Sequence, residues 1–362
     1  MWRNYNNIYN DKSFTLVPRD VRENYIDISV DSYFIPIYDG RGKKTNIILV
    51  CRPFEKDEHY KMFLANRHDH IFLGISSYQE FPNAPENPID NWKTLTKPTG
   101  NQYFYDMYKT MFDGWLHCFR HPEQFFDTTK PHLLISESDF VDYNVHTPDP
   151  TIKKEYDFIY VCTRSDWSNK NPDESTCNDW TSINKNWELA KKCLPILCGS
   201  KESGGFNLKG LLVGRQGCEL PPGIEQNVTL TLHKPYWELM KEFQKAKFIF
   251  IPNKHDASPR IITEAMCYNL SVLINTNIVG GWKYATPETG MLFNDENDIG
   301  ESLSVLLQNL DKYIPRQHII NNYGPQHSSE KLLKFLKAHY SHRIKDVENL
   351  KSIHHPRWKP SK

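Results

Sequence analysis

The 362-residue chain has no long apolar run. Its longest, such as 47–51 (IILVC) and 248–251 (FIFI), hold about five residues, and a membrane span needs about 20. It has no net charge either. Lys plus Arg is 44 and Asp plus Glu is 44, so a generally basic nucleic-acid binder is excluded. No Gly-x-Gly-x-x-Gly follows a strand-like run, which removes the dinucleotide fingerprint. No Asp-x-Asp occurs, so the usual metal clamp for a nucleotide diphosphate is missing and no metal or other cofactor is expected. Residues 1–7 contain no apolar h-region, so no signal peptide is expected. The eight cysteines are scattered, and Cys51, Cys162 and Cys198 sit in apolar runs as small hydrophobes. That usage points to reduced thiols and a cytoplasmic location.

What remains is an ordinary globular composition: 39% apolar, 13% aromatic and 24% charged, enough to bury a core. At roughly 150 residues per domain the length suggests two domains. The first 40 or so residues carry no readable element. Short apolar runs then alternate with amphipathic stretches. Residues 46–51, 71–75 and 132–136 read as strands, with a helix over 103–119 between the last two. The polar segment 146–150 (HTPDP) reads as a linker.

Beyond it the alternation restarts. Strands are expected at 158–162, 210–213, 247–252 and 272–275. Helices are expected at 186–194, 235–243, 259–268, 299–310 and 329–340. Apolar runs polar on neither face suit parallel strands covered on both sides. The expected fold is therefore α/β, with two Rossmann-like, doubly wound halves facing a cleft. The domains would be 1–150 and 151–328, with 329–362 packing back on the first.

Several features have ordinary explanations. The 40–44 run (GRGKK) lacks P-loop spacing and reads as a basic turn. The set His117, Cys118 and His121 is too small for a metal site. The sequons at Asn227 and Asn269 read as chance matches.

The informative stretch is 248–292. A strand leads into a polar loop containing Asp256, and Ser258-Pro259-Arg260 opens a helix. Ser258 suits an N-cap and Pro259 the first helical position. Such a helix start aims free N–H groups into the cleft and makes an anion site. Glu264 falls one to two turns on, on the face of Arg260 and away from Ile262 and Met266. Two carboxylates beside an anion site make sense if they accept hydrogen bonds from ribose and hexose hydroxyls. A surface loop Asp and a solvated helix Glu is the plainer alternative.

Asp256-x7-Glu264-Ala265-Met266, followed by the strand at 272–274, Gly280-Gly281 and 289–293 (TGMLF), resembles the E-x7-E motif of retaining glycosyltransferases of family 4, which have the GT-B fold. Asp256 stands where the family has Glu. The resemblance covers roughly 157–310 and implies a metal-independent hexosyltransferase using a nucleotide sugar. It implies that Asp256 contacts the donor sugar and Glu264 the ribose, and that Arg164 and Lys185 hold the diphosphate. Lys170 is the alternative to Lys185, because the insertion 165–184 blurs the alignment. The family's Lys-Gly is Lys185-Asn186 here. Gly214 matches the glycine after the next strand, and the 228–236 segment, with Lys234, matches the base-holding loop. Ser258, Pro259 and Arg260 would complete the phosphate end.

The resemblance also implies a glycan, glycoprotein or glycolipid acceptor, held by the N-terminal half. The loop 74–80 could serve there, and nothing selects among His59, His117 and His121. Mannosyl transfer is frequent in the family, so GDP-mannose is the expected donor and a UDP-sugar the alternative. A non-catalytic nucleotide- or carbohydrate-binding protein, or a nucleotide-sugar epimerase or hydrolase, would share the fold. Residues 331–362 carry nine Lys/Arg and two Asp/Glu. They read as a solvated tail, with peripheral contact to an anionic membrane as the alternative. Leu332, Leu333 and Leu336 form a stripe that should be buried.

Overall fold

The computed structural model describes residues 34–51, 57–76, 81, 108–162, 177–178, 180–345, 347 and 350–352. Its strands are β1 (Phe34–Asp39), β2 (Lys44–Val50), β3 (Ile71–Ile75), β4 (Gly114–His117), β5 (His132–Leu134), β6 (Tyr156–Val161), β7 (Gly210–Val213), β8 (Val228–Thr231), β9 (Ala246–Ile251), β10 (Ser271–Asn275), β11 (Gly290–Phe293) and β12 (Leu350–Ser352). Its helices are α1 (Asp57–Asn66), α2 (Trp180–Asn184), α3 (Trp187–Cys198), α4 (Tyr236–Gln244), α5 (Arg260–Cys267), α6 (Ile299–Gln308), α7 (Pro315–Asn322) and α8 (Gly324–Tyr340).

Two six-stranded sheets result. The first has the order β12-β1-β2-β3-β4-β5 and the second β11-β10-β9-β6-β7-β8. The second is parallel throughout. Its order is that of a doubly wound sheet, and it reverses between β6 and β9. The first is parallel from β2 to β5, with β1 and β12 antiparallel at one edge.

Side-chain alternation explains how the second sheet fills two layers. On β9, Phe248 and Phe250 face one layer with Trp187 and Leu197. Ile249 and Ile251 face the other with Met240, Ile262 and Met266.

One expected element is corrected. Tyr103–Phe119 is not a continuous helix, because Gly114–His117 is the buried strand β4. Its residues pack on both faces, so the run has no alternation to separate it from a helix.

Helix α8 starts five residues before the expected Ser329 and lies on the first sheet. Leu332, Phe335, Leu336 and Tyr340 are buried against Ile35, Leu49 and Leu73. Leu333 is only partly buried. The thiols are not all reduced either, since Cys177 and Cys218 form a disulfide. The stretch before α2 and the turn after β7 follow neighbouring strands, which brings cysteines 41 residues apart together. The other six form no disulfide among the described residues, and five of them are buried.

Candidate active site

The carboxyl ends of the two sheets face each other. After β5, the Ser138 backbone N–H and hydroxyl meet the Ser258 hydroxyl of the β9–α5 loop at 3.1 and 2.8 Å. The buried Asp139 carboxylate accepts from Lys283 at 2.6 Å and from the Tyr284 hydroxyl at 2.5 Å. Trp282 Nε1 donates to the Cys118 carbonyl at 3.0 Å. Gly280 lies in the same seam, where an added Cβ would stand 1.9 Å from the Ala257 oxygen.

At the floor of this cleft, where the second sheet's order reverses, Lys185 forms an ion pair with Asp256. Asn253, buried after β9, donates to the same Asp256 oxygen at 3.1 Å. The backbone around Lys185 explains its reach. Asn186 takes the left-handed conformation, φ +54°, and its amide donates to the Pro252 carbonyl at 3.1 Å. Asn tolerates this region better than other side-chain-bearing residues, so it serves where Gly would. The Tyr160 hydroxyl donates to the Lys185 carbonyl at 3.2 Å.

Glu264 lies in the second turn of α5 and is 8% exposed. The Tyr236 hydroxyl, at the start of α4, donates to its Oε1 at 3.0 Å. Burial holds the Glu264 carboxyl above the usual range, with Arg260, Tyr236 and Lys185 opposing. Arg260 also faces Glu137, on the first sheet's side, whose carboxyl burial likewise raises. Gly214 follows β7 in the left-handed region, φ +81°, and donates its N–H to the Thr231 carbonyl at 2.9 Å. Next to it Arg215 is fully buried. It donates to Ser182 Oγ at 2.7 Å and to the Cys162 carbonyl at 2.8 Å.

Lys185, Asp256, Arg260 and Glu264 are therefore gathered at one place. Other expected residues behave differently. Ser258 is not the cap: α5 begins at Arg260 with Pro259 as N-cap, and the Ser258 hydroxyl serves the contact with Ser138. Lys234 is ion-paired with Glu242 at 3.1 Å. Arg164, Lys170 and most of the 165–184 insertion lie outside the described residues, as do residues 77–80 of the 74–80 loop. His59 is buried. So is His117, packed near the Phe119, Phe126 and His132 rings, where burial pushes its pKa down to about 3. His121 is exposed and lies 3.5 Å from Glu123. A cavity of about 650 Å³ bordered by Tyr60, Phe63, Lys130 and Arg343 opens at the amino ends of the first sheet's strands, away from the cleft.

Sequence reasoning missed Tyr236, Asn253, Arg215 and Asp139. Only Asn253 and Tyr236 had a local signal, the first in the loop after β9 and the second closing the base-loop segment.

No protein-family model matches the chain, and no curated protein sequence does. Solved structures match in fold. Sucrose-phosphate synthase from Thermosynechococcus elongatus is 10% identical, with a TM-score of 0.51 over 82% of this chain and 74% of that one. The lipopolysaccharide outer core galactosyltransferase WaaB is 12% identical, with 0.51 over 81% and 75%. TarM is 15% identical, with 0.51 over 84% of this chain, which spans 56% of the TarM chain. The chain has the two-sheet α/β architecture of these GT-B structures.

Proposed function

We propose that this GT-B chain is a hexosyltransferase that moves a sugar from a nucleotide sugar to a sugar-bearing acceptor, with retention of configuration and without a divalent metal. The observation that carries the reading is the meeting of the Lys185–Asp256 pair with buried Glu264 at the switch point of the second sheet. Open α/β sheets bind ligands at that point. A nucleoside diphosphate leaving group gathers negative charge as the glycosidic bond breaks. Lys185 and the start of α5 are preorganised to meet it, with Arg164 proposed alongside them. Glu264 would accept from ribose hydroxyls and Asp256 from hydroxyls of the donor sugar. The names of the fold relatives, a galactosyltransferase and a sucrose-phosphate synthase, support this class of reaction.

GDP-mannose is the proposed donor and a UDP-sugar the alternative. The site would act on a cytoplasmic pool of donor. Calorimetry with GDP, UDP, GDP-mannose and UDP-glucose tests the binding reading, and the absence of binding to all four overturns it. Release of nucleoside diphosphate with and without a sugar acceptor separates transfer from hydrolysis and from binding alone. NMR of the product's anomeric centre tests retention. Transfer abolished by EDTA and restored by Mn²⁺ or Mg²⁺ would overturn metal independence.

A further inference from the structure

Glu264 is buried, yet Tyr236 is the only described residue that hydrogen-bonds to its carboxylate, and it does so at Oε1. A buried carboxylate with one donor holds its orientation only as well as that donor does. Tyr236 is itself held. Its hydroxyl oxygen lies 3.2 Å from His146 Nε2, and His146 Nδ1 lies 3.4 Å from the Tyr268 hydroxyl. One pattern of protons satisfies the chain. Tyr268 donates to Nδ1, Nε2–H donates to the Tyr236 oxygen, and Tyr236 donates to Glu264. This makes His146 a neutral Nε2–H tautomer, assigned from the hydrogen bonds. Burial also holds His146 below its ordinary value, with Asp142 opposing and Arg316 reinforcing.

The backbone is fastened at the same place. His146 belongs to the segment joining the two sheets. Arg316 donates at 2.6 Å both to the His146 carbonyl and to the carbonyl of Cys267, the last residue of α5. It also donates to the Tyr143 carbonyl at 3.1 Å. The linker is thus tied to the end of α5 by Arg316 and to its middle by the His146–Tyr236–Glu264 chain.

We infer that Tyr236 and His146 are positioning residues for the nucleotide-sugar donor, orienting Glu264 toward the ribose through a hydrogen-bonded relay anchored in the interdomain linker. This rests on the proposed role of Glu264 and deepens it. The ligand feature read through the relay is the ribose diol. The sugar and the phosphates lie outside its reach. Loss of Tyr236 should therefore erase discrimination between ribose and deoxyribose and leave the rest of the nucleotide's affinity in place.

The experiment is calorimetry with GDP and UDP, and with their 2′-deoxy and 3′-deoxy forms, on the full chain and its variants. The wild type should prefer the ribo form of its nucleotide by about tenfold or more, the scale of one charge-assisted hydrogen bond. Tyr236→Phe should bring that ratio to within about threefold while the deoxy form binds as it does to wild type. His146→Gln keeps an N–H donor near the position of Nε2 and should retain the preference. His146→Leu should lose most of it. A merely structural role for Tyr236 would weaken ribo and deoxy forms alike, and that result overturns the relay. So does a Tyr236→Phe variant with the wild-type ratio. A wild type that binds nucleotide without distinguishing ribose from deoxyribose overturns the ribose role of Glu264 itself. A wild type that binds neither GDP nor UDP overturns the nucleotide reading as a whole.

Discussion

Lys185 and Asp256, 71 residues apart, form an ion pair at the floor of the cleft, both side chains largely shielded from water. The pairing holds a cation and an anion at the place where a diphosphate and a sugar would lie side by side. Donor binding would therefore redistribute an existing interaction, and the two partners should respond differently to removal.

Lys185→Ala should weaken nucleoside-diphosphate binding by more than about 1.5 kcal/mol, the scale of a charge-assisted bond. Asp256→Ala should leave that affinity nearly intact and lower turnover about tenfold or more, about 1.4 kcal/mol in the barrier. Asp256→Glu should keep partial activity. Calorimetry with the bare diphosphate, beside transfer rates, reads both effects. Equal losses of diphosphate binding in the two alanine variants would refute the division of roles.

The left-handed corner at Asn186 is what presents Lys185. Asn186→Gly also gives up the side-chain bond to Pro252 but should keep the corner and bind nucleoside diphosphate close to wild type. Asn186→Val places a β-branched residue at φ +54° and loses the bond to Pro252. It should cost about 1–2 kcal/mol of stability and weaken diphosphate binding. Thermal melts with calorimetry check this, and wild-type affinity in the valine variant would sink it.

Glu264 should cost the fold stability that binding requires. Its carboxyl is held above its ordinary 4.5 by burial, so the folded chain retains this proton more readily than the unfolded one. Stability contributed by the protonated form is present below 4.5 and is lost as pH rises through the folded value. Glu264→Gln should therefore be more stable than wild type in urea at neutral pH, with the gain vanishing below 4.5. The same variant should bind nucleoside diphosphate more weakly. A destabilised Glu264→Gln at pH 7 would contradict the assignment.

The Cys177–Cys218 disulfide closes a 41-residue separation, so its reduction should lower unfolding free energy by about 2–4 kcal/mol. The Cys177→Ser/Cys218→Ser variant should match the reduced wild type and ignore reductant. Burial pushes the thiols of Cys118, Cys193, Cys198 and Cys267 up to about 12, so they should resist alkylation in the folded chain. Mass spectrometry of the protein alkylated in denaturant should show two further adducts when it is reduced first. Unchanged alkylation would mean the pair is not a disulfide in solution.

The sequence by itself determined four of the second sheet's six strands, β6, β7, β9 and β10, and the site's central segment. Phe248 and Phe250 alternate with Ile249 and Ile251, and the polar loop with Asp256 precedes a helix carrying Glu264. These are local patterns of period and turn chemistry, set by residues within a few positions of each other. The stripe of α8 was legible for the same reason, although its first turn and the burial of Phe335 were not. Only the tertiary structure decided that Gly114–His117 is a strand, because a run buried on both faces shows no period. Only it turned the Ser258 hydroxyl toward Ser138 instead of its own helix. It alone brought Tyr236 to Glu264 and His146 to Tyr236, over 28 and 90 residues. Such pairings follow from the order of strands in the sheet and the path of the linker, which no short window of residues records.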